Sequence, residues 1–94
     1  MKILHISIVE TCTEAKDAYD VYFNDVIQED FIEKFRPLGK IVYTDIYYKK
    51  YFKVIVRGKY TIKGFIDNDN FRVLFGNSNN ESYLEELKQF IGLI

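Results

Sequence analysis

The sequence predicts an α+β domain: an antiparallel β-meander with an N-terminal strand and helices packed on one face. Its order is β-α(α)-β-β-β(-β)-α, that of a ferredoxin-like or related two-layer sandwich. Three observations predict it. Apolar residues recur at helical spacing over 15–35, alternate over 41–75, and return to helical spacing from 83 onward. Turn formers separate those stretches, at Pro37 and Gly39, at Gly58, at Asp67-Asn68-Asp69-Asn70 and at Gly76 to Asn80. The chain's 94 residues, 48% apolar and 29% charged, suit a single globular domain over 1–94.

Residues 2–9 read as the first strand, with Leu4, Ile6 and Ile8 on one face and Ile3, His5, Ser7 and Val9 on the other. Thr11 and Glu14 have capping-box spacing, so a helix is expected to start near Thr11 to Thr13. Its apolar stripe is Ala15, Ala18, Tyr19, Tyr22, Phe23, Val26 and Ile27. The stripe loses phase at Gln28-Glu29-Asp30 and resumes at Phe31, Ile32 and Phe35, which predicts a bend or a second short helix. Pro37 and Gly39 close it.

Over 41–57 the even positions Val42, Thr44, Ile46, Tyr48, Lys50, Phe52, Val54 and Val56 form the side expected to face inward. One strand of that length would span roughly 55 Å at ~3.3 Å per residue, too long for the domain. A turn or bend is therefore expected near Lys49-Lys50, although no usual turn residue marks it. Strands follow near 51–57, 59–66 and 71–75. A three-residue loop at Arg57-Gly58-Lys59 pairs Val56 with Tyr60, Val54 with Ile62 and Phe52 with Gly64, keeping one face apolar. A four-residue loop over 67–70 then pairs Ile66 with Phe71, Gly64 with Val73 and Ile62 with Phe75. Ser78 and Glu81 repeat the capping spacing before a last helix striped by Tyr83, Leu84, Leu87, Phe90 and Ile91, with Gly92 as its stop.

Several chemistries find no complete motif. The lone Cys12 excludes an intramolecular disulfide and points to a reducing compartment. Amides at the expected helix start would lower the pKa of its thiol, but no second cysteine supports a redox pair, and an incidental polar residue is the simpler reading. One histidine and one cysteine do not furnish a zinc site, and Asp67-Asn68-Asp69 lacks the glycine and distal glutamate of a calcium loop. No catalytic residue, metal ligand or cofactor is assigned. The N-terminus turns polar by Glu10 and no run approaches the ~18 apolar residues of a membrane helix, so a cytoplasmic protein with no membrane contact is expected.

Charge supplies the functional candidate. Residues 1–39 carry four Lys/Arg against eight Asp/Glu, residues 40–63 seven against one, and residues 64–94 two against five. The basic middle strands should turn Tyr51, Lys53, Ile55, Thr61, Lys63, Phe65, Arg72 and Leu74 away from the core, with Lys49, Arg57 and Lys59 at the rims. The candidate binding set is thus Lys49, Tyr51, Lys53, Arg57, Lys59, Lys63, Phe65 and Arg72. A protein partner or a second copy of the chain, in a homo-oligomer, is the expected occupant. Interleaved cations and rings also suit single-stranded nucleic acid. The plainer reading of the same face is a solvated surface on which Lys53 opposite Lys63 discourages aggregation.

The segment from Val56 to Asn68, with Gly58, Lys59, Tyr60, Lys63 and Gly64, resembles the glycine, basic, tyrosine and hydrophobic hairpin of RelE/ParE-type toxins. The resemblance covers little more than that hairpin and implies a strand, helices, sheet order. Ribosome-dependent members use a cluster of Arg and Lys, for which Lys59, Lys63 and Arg72 stand in comparable strands. Thr61 departs from the pattern, standing where an arginine often follows the tyrosine.

Overall fold

The alternating stretches pair into one six-stranded sheet in which every neighbouring pair is antiparallel. The computed structural model describes residues 1–10, 17–76 and 80–94. Its strands are β1 (Ile3–Ile8), β2 (Asp17–Phe23), β3 (Lys40–Ile46), β4 (Lys49–Val56), β5 (Tyr60–Phe65) and β6 (Asn70–Phe75), and its helices α1 (Glu29–Glu33) and α2 (Asn80–Leu93). The sheet order is β1-β2-β6-β5-β4-β3: an N-terminal hairpin laid against the last strand of a four-stranded meander. The α+β class holds. The ferredoxin-like order, with a helix between the first two strands, is replaced by β-β-α-β-β-β-β-α.

That difference lies in Asp17–Phe23, expected as helix and found as strand. Tyr19, Val21, Tyr22 and Phe23 are β-branched or aromatic and lose rotamer freedom in a helix, and Tyr19, Val21 and Phe23 also alternate. Pairing along the whole strand, from Asp17 opposite Phe75 to Tyr22 opposite Asn70, decides in favour of the sheet. The expected caps at Thr11/Glu14 and at Ser78, and Cys12 itself, lie outside the described residues. The resumed stripe opens in a short helix, α1, which is the first helix among the described residues and not a continuation of an earlier one; its Phe31 and Ile32, and Phe35 just beyond its end, are all buried.

Two turns differ from expectation. The turn between β3 and β4 falls at Tyr47-Tyr48, with φ of 49° and 67°. A two-residue loop pairs Tyr43 with Phe52, so the odd residues Ile41 and Tyr43 share the core side, and Val42, Thr44 and Ile46 lie on the opposite face from that expected. The β4–β5 register is the expected one, with Val56 opposite Tyr60, Val54 opposite Ile62 and Phe52 opposite Gly64, and Gly58 supplies a φ of 79° in the turn. The β5–β6 register is displaced by two residues, setting Gly64 opposite Phe71 and Tyr60 opposite Phe75. Residues 66–69 are drawn out of that ladder by other backbone bonds: Ile66 donates to Lys50, Asp67 to Ile27, and Asp69 accepts from Phe23. An even displacement leaves every side chain on its face.

Strand residues Val21, Phe23, Phe52, Val54, Ile62, Phe71, Val73 and Phe75 meet Phe31, Ile32 and Phe35 and the α2 residues Leu87 and Ile91 in a single core cluster. Each such side chain contributes about 1.5–3 kcal/mol on burial. The Tyr43 hydroxyl ties β3 to α1 by donating to Glu33 Oε2 at 2.5 Å, and Arg36 holds the same carboxylate in three bonds of 2.6, 2.8 and 2.9 Å. Those bonds, Tyr43's first, lower the Glu33 pKa.

Candidate binding face

Alternation along each strand sends the other half of the side chains to the face turned from this cluster. Across β4, β5 and β6, Lys53 stands opposite Lys63 and Lys63 opposite Arg72. Asp20 of β2 stands opposite Arg72 and receives its Nε and one terminal nitrogen at 2.8 and 3.1 Å. On β3, Val42 faces Lys53. The result is a transverse row of three cations with an acid at one end. Beside it lies an aromatic row. Tyr51 opposes Phe65, their rings meeting edge to face at 5.3 Å, and the Lys49 ammonium sits 6.0 Å from the Phe65 ring centre. Further along, His5 and Tyr22 stack with centroids 4.5 Å apart and planes 13° from parallel.

Of the residues expected here, Tyr51, Lys53, Lys63, Phe65 and Arg72 share the face and are all half-buried, with Lys49 at its margin. A depression of about 240 Å³ lies among Tyr51, Lys63, Phe65, Asn70, Arg72 and Asp20. Arg57 sits in the β4–β5 turn, at the rim. Lys59 points elsewhere: its ammonium bonds Glu86 of α2 at 3.2 Å and lies 5.6 Å from the Tyr83 ring centre, on the helix side.

Comparison with protein-family models, curated proteins and solved structures finds no match to this chain. The hairpin that carries the RelE/ParE-type resemblance is present as β4–β5, but the strand, helices, sheet order is not.

The sequence reading missed Asp20, Tyr22 and His5 as members of this face, because 17–23 was expected as helix. The alternation Tyr19, Val21, Phe23 is the signal that would have found the first two. Among the described residues no helix is long and apolar enough to cross a membrane.

Proposed function

We propose that this chain is a non-catalytic binding module whose basic, aromatic sheet face takes an acidic protein surface. The observation that carries the reading is Lys53 set directly opposite Lys63, in a row with Arg72 and beside the Tyr51–Phe65 pair. A row of cations across neighbouring strands offers an anionic partner a complementary potential. Tyrosine and arginine at the centre of a half-buried patch match the composition of interface hot spots.

Two features favour protein over nucleic acid. Base stacking needs exposed ring faces, whereas His5 and Tyr22 cover one face of each other and Tyr51 and Phe65 meet edge to face. A dedicated nucleic-acid domain is also usually basic overall, and this chain has a net charge of −1.

The test titrates the purified chain with poly-L-glutamate and with a single-stranded RNA oligonucleotide at increasing salt. The expected result is preferential binding of polyglutamate, weakened about tenfold or more in the Lys53→Glu/Lys63→Glu variant. Tighter binding of RNA, with the steep salt dependence of phosphate contacts, would replace this reading by the nucleic-acid one. Binding of neither polyanion removes anion recognition altogether.

A further inference from the structure

We infer that Asp20 is the specificity-determining residue of the basic face: it ends the cation row on one side, and so admits a short cluster of protein carboxylates while rejecting a continuous polyphosphate strand. The inference rests on the reading of that face as an anion-binding surface and adds which kind of anion it accepts.

Cross-strand pairing lays Val42, Lys53, Lys63, Arg72, Asp20 and Ser7 in one line over the sheet, one residue from each strand in the order β3-β4-β5-β6-β2-β1. At ~4.8 Å between neighbouring strands, Lys53 and Arg72 are anchored roughly 10 Å apart, which leaves room for two or three anionic groups. The next position holds an acid. The Asp20 carboxylate accepts from Arg72 Nε at 2.8 Å and from a terminal nitrogen at 3.1 Å. It is also the more buried of the pair, with its side chain 15% exposed against 39% for Arg72. A carboxylate gripped at two points and set into the face does not swing aside when an anion arrives. Beyond it, β1 and β2 bring His5, Ser7 and Tyr22 to this face, none of them lysine or arginine. At the other end the row stops at Val42, on the edge strand.

The two classes of polyanion meet this boundary differently. Carboxylates of a protein stand on side chains that rotate, so two or three of them settle on the row while the rest of the segment turns away from Asp20. A nucleic-acid strand carries a charge in its backbone at every nucleotide. Following the row towards β2, it brings a phosphate beside Asp20, and such like-charge juxtaposition is how an interface suppresses a wrong partner. Shifted towards β3, it leaves the row at Val42. Crossing the row, it meets only one or two of the cations.

The test measures binding of poly-L-glutamate and of a single-stranded RNA oligonucleotide to the wild type and to Asp20→Asn over a salt series. The substitution keeps the shape and one acceptor for Arg72 and removes the charge. RNA affinity should rise about fivefold or more, with a log–log salt slope steeper by about 0.7 for one added phosphate contact, while polyglutamate affinity changes by less than about twofold. Unchanged RNA affinity, or an equal rise for both polyanions, overturns the inference, since Asp20 then does not choose between them. A fall for both overturns it too, because Asp20 then serves to position Arg72. Those outcomes leave the anion-binding face standing. A wild type that binds neither polyanion, or binds RNA the tighter, removes that reading and the inference together. Should Asp20→Asn lose its folded circular dichroism spectrum, Ser7→Lys decides, since it sets a cation directly opposite Asp20 and neutralises the boundary. It should raise RNA affinity about threefold or more and leave polyglutamate within about twofold. RNA binding that stays unchanged in that variant, or rises no more than polyglutamate binding, overturns the inference.

Discussion

Lys53 on β4 and Lys63 on β5 stand directly opposite each other on the sheet face turned from the core cluster. Neither charge contributes to that core, so their placement is separable from folding. Lys53→Glu converts the opposition into attraction and should stabilise the domain by about 0.2–1 kcal/mol, read from urea unfolding at low salt, with the gain shrinking as salt screens it. The same variant should bind polyglutamate more weakly than the wild type. A variant that is less stable yet binds normally would show that the pair serves the fold and not a partner.

Tyr47 and Tyr48 form the β3–β4 turn with both φ values in the left-handed region, where Asn-Gly is the usual pair. Neither ring compensates through packing, since the two residues are 92% and 107% exposed. Left-handed backbone costs a side-chain-bearing residue about 1–2 kcal/mol. Tyr47→Asn/Tyr48→Gly should therefore raise the unfolding free energy by about 1–3 kcal/mol with an unchanged denaturant slope. No gain would mean that the turn is not strained.

Much of this architecture is legible because local pattern and tertiary context agree. Val54 and Ile62, like Phe52 and Gly64, can only face each other if the apolar face is to stay whole, and that register is observed. Elsewhere one stretch satisfies two periods. Ala18, Tyr19, Tyr22 and Phe23 fit a helical stripe, while Tyr19, Val21 and Phe23 fit a strand, and only pairing with β6 chooses between them. The Tyr47-Tyr48 turn is silent for a different reason, since no glycine or asparagine marks it. Of the candidate face, the β4–β6 members follow from parity alone. Lys59 does not, because a turn residue has no parity, and Glu86 on α2 draws it to the other side.

Gly39 illustrates a constraint that reads as a helix stop in sequence but acts through close approach. A Cβ added there would lie 2.1 Å from the Ile55 carbonyl oxygen, a backbone atom that retreats only if β3 moves away from β4. Gly39→Ala should cost about 1–3 kcal/mol or more, as overpacking does. In Gly92→Ala, where an added Cβ meets nothing within 4 Å, the change should be neutral or stabilising by up to about 1 kcal/mol. Thermal unfolding of the two variants side by side checks the opposite signs. Equal effects would mean that the crowding at Ile55 is relieved without cost.

Alkaline stability should report the buried phenols. Tyr60 packs 5.7 Å from Phe75, and burial first, then the nearby Glu86 carboxylate, pushes its pKa from 10.0 up to about 12. Tyr43 shifts in the same direction, through burial and then its hydrogen bond to Glu33. A raised folded-state pKa means that the fold holds the proton more tightly than the unfolded chain does. The resulting stability is fully present below pH 10, where both states are protonated, and is lost as pH rises from 10 towards 12, where only the unfolded phenol ionises. The Tyr60 share should amount to about 1–2 kcal/mol across that window. Tyr60→Phe should flatten the fall in urea midpoint over this range, and the phenolate absorbance it removes should be the part that appears late in the titration of the folded protein. A Tyr60→Phe profile parallel to the wild type would place the alkaline loss on other groups.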